Sequence, residues 1–250
     1  MKPRLLVPCL AGLFALSSLS RPAFPDIPPR RHRPPRSPAL AVDAPDEHKA
    51  PDEHKPLVHR FDDAKKWAAK FDAADRDGWQ KPTVLVSQLG LAPGQTVADV
   101  GAGTGYLLPH LARAVGPTGK VYAVDIEPNL IAHMNERAKR DKLTQVATIL
   151  ARPDDPKLPP TSVDRVICLD TWHHIPARAA YGKALAAALK PGGAVFVVDF
   201  TMESSHGPPK HHRLLPEQVK QELEQAGLAA EILKEDLPDQ YIVAGRKKAP

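Results

Sequence analysis

The chain has 250 residues, with 34 Lys and Arg against 29 Asp and Glu, for a formal charge of +5. Residues 1–56 hold 12 of its 28 prolines, which neither propagate a helix nor sit in a central strand, so the folded part begins near residue 57. That opening stretch carries nine basic and six acidic residues, leaving +2 of the +5 for residues 57–250; the concentrated basic stripe that a nucleic-acid backbone requires is excluded there.

Met1, Lys2, Pro3 and Arg4 precede a mostly apolar run from Leu5 to Leu19. A basic head before about fifteen apolar residues suits an export leader over residues 1–20 and is too short for a membrane span. A periplasmic or secreted location is expected, with a cytoplasmic one as the alternative; an Arg-containing, acid-free opening also fits an organelle transit peptide. Residues 21–56 read as an extended, solvated linker in which Pro45-Asp-Glu-His-Lys49 recurs at Pro51-Asp-Glu-His-Lys55. His48 and His54 offer too few fixed ligands for a firm metal site. Cys9 falls in the leader and Cys168 in an apolar run, which predicts a buried thiol and no internal disulfide after leader removal.

From residue 57 apolar strands alternate with amphipathic helices, the pattern of a parallel α/β sheet. Phe61, Ala64, Trp67, Ala68 and Phe71 have helical spacing, and Phe61, Trp67 and Phe71 are expected to pack on the sheet. Pro82 opens a second helix through Leu89. Strands are expected over Thr96–Val100, Lys120–Val124, Val146–Leu150, Val163–Leu169 and Val195–Phe200. The helices between them run Leu107–Val115, Pro128–Lys142 and Arg178–Leu189, with Pro191-Gly192-Gly193 as a turn before the fifth strand. After a helix over Glu217–Ala226, the runs Ala229–Leu233 and Gln240–Arg246 are too close for a crossover helix, so they pair antiparallel and place one antiparallel strand at the sheet edge. The fold class is a doubly wound, Rossmann-like α/β sheet formed by residues 57–250.

The segment Val97-Ala-Asp-Val-Gly-Ala-Gly-Thr-Gly-Tyr106 lies where the first strand gives way to a helix. Gly101, Gly103 and Gly105 let the backbone turn sharply and approach a ligand closely. The spacing is G-x-G-x-G, not the G-x-G-x-x-G of nicotinamide sites, and Asp99 in the same turn repels a pyrophosphate while attracting a cationic amino group. In these motifs the sequence resembles class I S-adenosylmethionine-dependent methyltransferases, over roughly residues 60 to 247. The resemblance implies a seven-stranded sheet, S-adenosylmethionine as cofactor, and a methionine-binding loop of Asp99, Gly101, Ala102, Gly103 and Gly105. Asp125, closing the second strand 24 residues after Gly101, is placed to accept hydrogen bonds from ribose hydroxyls. By the same resemblance Ile126 packs on the adenine face, and Asp154 stands where related enzymes carry an acid for the adenine amino group, although Ala151-Arg-Pro-Asp-Asp-Pro156 departs from their Gly-Asp-Ala pattern.

The fourth strand ends Cys168-Leu-Asp-Thr-Trp-His-His-Ile-Pro176, which places Asp170, Thr171, Trp172, His173 and His174 at the pocket rim, Asp170 on the cofactor side. A histidine is suited to remove a proton from the methyl acceptor; His173 is the first candidate and His174 the second. His206 and His211 belong to a Pro- and Gly-containing loop after the fifth strand, and with Trp79 and Tyr106 they are candidates for acceptor recognition. No metal is expected, since no helical ligand pair or cysteine set is present. The acceptor is expected to be a small molecule, because the domain is compact and nearly neutral. The alternatives are a nicotinamide-dependent oxidoreductase and an exported, non-catalytic binding domain.

Overall fold

The computed structural model describes residues 63–234 and 237–248. The leader, the linker and Phe61 lie outside the described residues. Among the described residues seven strands form one sheet: β1 (Thr96–Val100), β2 (Lys120–Asp125), β3 (Val146–Leu150), β4 (Val163–Leu169), β5 (Leu189–Phe200), β6 (Ala229–Leu233) and β7 (Gln240–Arg246). Their spatial order is β3-β2-β1-β4-β5-β7-β6. The chain starts at the centre, winds outward to β3, then returns to lay β4 beside β1 in parallel. That reversal opens a crevice beyond the carboxyl ends of β1 and β4, the place where such sheets bind ligands.

Seven α-helices among the described residues accompany the strands: α1 (Ala64–Phe71), α2 (Arg76–Gln80), α3 (Pro82–Gln88), α4 (Leu108–Val115), α5 (Pro128–Arg140), α6 (Arg178–Ala188) and α7 (Pro216–Gln225). Leu85 of α3, Leu111 of α4 and Met134 of α5 cover one face of the sheet. Leu185 of α6 and Val219 and Leu223 of α7 cover the other. Covering both faces is why Val166–Leu169 of β4 and Ala194–Val198 of β5 read as unbroken apolar runs. Each fully buried Leu or Val contributes about 1.5–3 kcal/mol through its removal from water.

Three expectations are corrected. Strand β5 begins at Leu189, which pairs with Val163, and the register then jumps to Ala194 opposite Arg165, so Pro191-Gly192-Gly193 is an irregularity inside the strand and no turn before it. The antiparallel strand is β7, and it lies between β5 and β6, leaving β6 at the edge. Burial matches the order: β7 is buried at every residue but Arg246, whereas no residue of β6 is buried, and the run that carries a charge at its middle, Glu231, takes the outer place. Third, α1 buries no residue in the core, and Trp67 and Phe71 stack on each other at 5.3 Å instead of packing on the sheet. The short helix α2 is an addition, hidden in the sequence by Gly78 and its acidic neighbours. No helix among the described residues is long and apolar enough to cross a membrane.

Leu185→Ala opens a cavity beneath β4 and β5 and is expected to lower unfolding free energy by about 2–5 kcal/mol. Ile232→Thr on the exposed edge strand is expected to change it by no more than about 0.5 kcal/mol. Urea denaturation of the two variants checks the contrast.

Candidate functional site

A cavity of about 750 Å³ lies at the carboxyl edge of the sheet, walled by the loop after β1, the exits of β2 and β4, the loop after β5, and the cover formed by α1 and α2. Its floor is the glycine bend. Gly101 and Ala102 donate backbone hydrogen bonds to the Val124 carbonyl at 2.8 and 3.0 Å, which ties the bend to β2. Gly101 has φ +74°, and a Cβ there would lie 2.2 Å from Thr171 Oγ1. Gly105, at φ +81°, has Leu108 Cδ1 at 2.6 Å from the same imagined atom. Both positions therefore require glycine on conformation and on space.

Asp125 closes the ring between strand and bend. Its Oδ2 accepts the Gly103 N–H at 2.9 Å and its Oδ1 accepts the Glu127 N–H at 3.0 Å. Burial nevertheless raises its carboxyl above the ordinary range, with the backbone hydrogen bonds pulling the other way. Asp99 stands behind the bend at 2% exposure. Among the described residues no hydrogen-bond donor reaches its carboxylate, and desolvation, reinforced by Asp125, pushes it up to about 7 against the opposing pull of Arg76. Ile126 is 43% exposed and forms part of the same wall, an apolar surface left uncovered beside two carboxylates.

Asp170, at the β4 exit, adopts φ +54°, an unusual conformation for a side chain other than glycine. Burial raises it to about 7 as well, with Arg76 opposing. A closed polar circuit surrounds it. Arg76 donates to Gln80 Oε1 at 3.0 and 3.2 Å, Gln80 donates to Gln240, Gln240 donates to Asp170, and Arg76 Nη2 returns to Asp170 Oδ2 at 3.4 Å. The Arg76 guanidinium also lies 4.0 Å from the Tyr106 ring centroid, and the Tyr106 hydroxyl donates to Asp77 at 2.5 Å. The cover is thus held to the sheet by one cation and two amides that the local sequence pattern does not single out. Arg76, Gln80 and Gln240 carry no local signal, because Arg76 meets Asp170 across 94 positions and Gln80 meets Gln240 across 160.

His173 is buried in a one-turn 3-10 helix, Trp172–His174, and lines the cavity. Its Nδ1 lies 2.9 and 3.0 Å from the two carboxylate oxygens of Asp199. Burial alone would lower the imidazole pKa; the charge and hydrogen bond of Asp199, with Asp170 behind, override it and leave the ring above its ordinary value. His174 lines the same wall with its ring 4.2 Å from that of His173. Trp172, expected at the rim, turns instead into the core on the far face and donates Nε1–H to Glu222 at 2.7 Å.

On the opposite wall Trp79 stacks on His206 at 4.5 Å with an interplanar angle of 15°. His206 is held by the loop after β5, and that loop is organised by Arg213, a residue the sequence did not mark. The buried guanidinium donates to the carbonyls of Thr201, Met202, Ser204, His206 and Pro208 at 2.8–3.3 Å. His211 is exposed and outside the cavity wall, since it follows the part of the loop that Arg213 gathers. Asp154 also points away, paired with Arg152 at 3.2 Å, and Ala151, Arg152 and Pro153 line the cavity in its stead. Among the described residues no three His, Cys, Asp or Glu side chains converge as metal ligands. Cys168 is buried, and burial drives its thiol pKa upward.

Residues 97–193 match a family model described as a methyltransferase domain. A ubiquinone biosynthesis O-methyltransferase of Xanthomonas campestris pv. campestris is 30% identical over 131 residues, which are 49% of this chain and 54% of that protein. A ubiquinone/menaquinone biosynthesis C-methyltransferase of Cupriavidus taiwanensis is 31% identical over 120 residues, 46% of this chain and 47% of its own length. The chain therefore spans about half the length of the curated relatives it matches. Among solved structures, a SAM dependent methyltransferase from Aquifex aeolicus superposes with a TM-score of 0.69 at 27% identity, covering 74% of this chain and 98% of that one.

The raised carboxyl of Asp99 makes a stability prediction. With an ordinary value of 3.8 and a folded value of about 7, ligand-free folded protein binds more protons than the unfolded chain in that interval, so stability falls as pH rises through it. Asp99→Asn removes the charge, and its melting temperature is expected to exceed that of the wild type by a margin that grows from pH 4 to 7 and then levels off. A series of thermal melts across pH checks this; a margin independent of pH contradicts it.

Proposed function

We propose, from the premise that this chain belongs to the class I S-adenosylmethionine-dependent methyltransferases, that it transfers a methyl group to a small-molecule acceptor bound beside the glycine bend. One observation carries the reading: Asp99 and Asp125, two buried carboxylates, flank a side-chain-free bend in a single cavity. The donor set suits the cofactor. Asp99 faces a cationic amino group, the bend of Gly101, Ala102, Gly103 and Gly105 receives the methionine part, and Asp125 retains lone pairs for two ribose hydroxyls beyond the two amides it already accepts. Ile126 supplies an apolar face for the adenine, and Asp170 closes the cofactor side.

S-Adenosylmethionine supplies a methyl group already activated by a sulfonium sulfur. The protein's part is to align the acceptor with that group and to exclude water, and fixed orientation of this kind lowers a barrier by roughly 7–11 kcal/mol. Trp79, His206 and Tyr106 form an aromatic wall suited to a small acceptor, and His173 takes the proton that the acceptor gives up. The basic head and apolar run before residue 20 support export of the domain.

Asp125→Ala and Asp99→Ala each remove charge-assisted hydrogen bonds worth about 1.5–3 kcal/mol, so cofactor affinity is expected to fall on the order of tenfold to a hundredfold. His173→Ala is expected to keep cofactor affinity and lose turnover. Calorimetry with S-adenosylhomocysteine, beside an oxidised nicotinamide dinucleotide control, measures the first. A methyl-transfer screen over small oxygen, nitrogen and sulfur acceptors with product identification by mass spectrometry measures the second. Heat from the dinucleotide and none from the nucleoside, or equal affinity loss in all three variants, contradicts the assignment.

A further inference from the structure

We infer that Asp199 is a positioning residue that fixes the tautomer of His173: it holds the Nδ1–H and so leaves Nε2 unprotonated, ready to take a proton from the cavity. Asp199 is the penultimate residue of β5 and His173 lies in the turn after β4, so the parallel pairing of these two strands brings together residues 26 positions apart. Both side chains are almost wholly buried, at 1% and 3% exposure. Asp199 Oδ1 already accepts the Phe200 N–H at 2.9 Å, which fixes the carboxylate on the strand before the imidazole is considered.

The chemistry of the contact then decides the proton. A carboxylate accepts hydrogen bonds and donates none, so the ring nitrogen facing it must carry the hydrogen. A neutral imidazole with its proton on Nδ1 has its lone pair on Nε2. Among the described residues no second partner engages that nitrogen, and His173 lines the cavity whereas Asp199 does not. Asp199 therefore acts only through the ring. It also stabilises the imidazolium formed when the ring accepts a proton, the role an aspartate plays behind any histidine base. Other charged or titratable groups facing the pair are Asp170 at the β4 exit, His174 beside it, Cys168 of β4, Tyr241 opposite Asp199 on β7, and Arg178 of α6, which opposes the carboxylates.

Under the methyl-transfer reading, on which the use of this base rests, the balance is simple. The acceptor atom forms a bond to the methyl carbon, the carbon–sulfur bond breaks with its electron pair staying on sulfur, and the acceptor's proton moves to Nε2. The neutral ring is the active form, so turnover is expected to rise with pH through a value above the ordinary 6.5 of histidine.

The test is nitrogen-15 NMR of the histidine side chains in the full chain, which has 11 histidines, with His173 assigned by the signals missing from His173→Gln. At pH 8.5 the wild type is expected to show a protonated Nδ1 and an unprotonated Nε2 at His173. Asp199→Asn, whose amide can donate to Nδ1, is expected to move the proton to Nε2 and to lower the imidazole pKa by about one unit or more. Asp199→Glu, which keeps a carboxylate, is expected to retain the Nδ1 proton. A wild-type neutral ring protonated on Nε2 overturns the inference, and this spectrum decides the matter even if Asp199→Asn does not fold. An Asp199→Asn ring with unchanged tautomer and pKa overturns it equally. Titration of S-adenosylhomocysteine into the same wild-type sample separates the two readings: a correct tautomer without nucleoside binding refutes methyl transfer and leaves the positioning role standing.

Discussion

A carboxylate withdrawn from water raises the free energy of the folded state unless a cation or several donors compensate it. Three such groups, Asp99, Asp125 and Asp170, surround this cavity, and burial raises the carboxyl pKa of each. One guanidinium, that of Arg76, opposes the shift at Asp99 and Asp170, and two amides serve Asp125. The balance is left negative where these groups ionise, and of the three Asp99 is the one that no donor among the described residues reaches. A cationic ligand whose hydroxyls need acceptors relieves that imbalance, and an anionic one worsens it. The architecture of the sheet serves this constraint: parallel strands deliver their acidic ends to one edge, and glycine keeps side chains out from between them.

The parts of the fold legible in the sequence are those whose pattern is local. Strands β1, β3, β4, β6 and β7 are where apolar runs bounded by turn residues place them, because the signal of each run is local. The order of β7 and β6 was not legible, since a hairpin shows which strands pair and leaves open which one meets the rest of the sheet; the charge of Glu231 inside Ala229–Leu233, against an uncharged Tyr241–Gly245, is the signal that separates them. The start of β5 was hidden by Pro191-Gly192-Gly193, which reads as a turn although the pairing resumes across it.

The cofactor side of the site follows one continuous motif and one acid at a fixed spacing, so Asp99, Gly101, Gly103, Asp125 and Ile126 all line one cavity, while Gly105 stands just behind it against Leu108. The other side is assembled from pairs distant in sequence. Arg76 meets Asp170 across 94 positions, and Gln80 meets Gln240 across 160. No periodicity marks such pairs, and a lone glutamine or arginine ahead of a helix looks like solvent-facing sequence. Arg213 is hidden for a related reason: its partners are carbonyls, which every residue has, so its side chain carries no sequence signature of the loop it gathers. The same blindness put Trp67 and Phe71 on the sheet, when helical spacing shows only that they share a face.

The electrostatic account is tested most directly by counting protons as the nucleoside binds. Calorimetric titrations of S-adenosylhomocysteine at pH 6, repeated in buffers of different ionisation enthalpy, report the net proton exchange. At that pH the ligand's amino group is already charged, with an unperturbed α-amino value of about 7.7–8.0, whereas Asp99, raised to about 7, is mostly protonated. Ionisation of Asp99 against the ligand's ammonium predicts net release of protons, abolished in Asp99→Asn. Binding with no release, or with proton uptake, contradicts the claim that a buried carboxylate grips a cation at this bend.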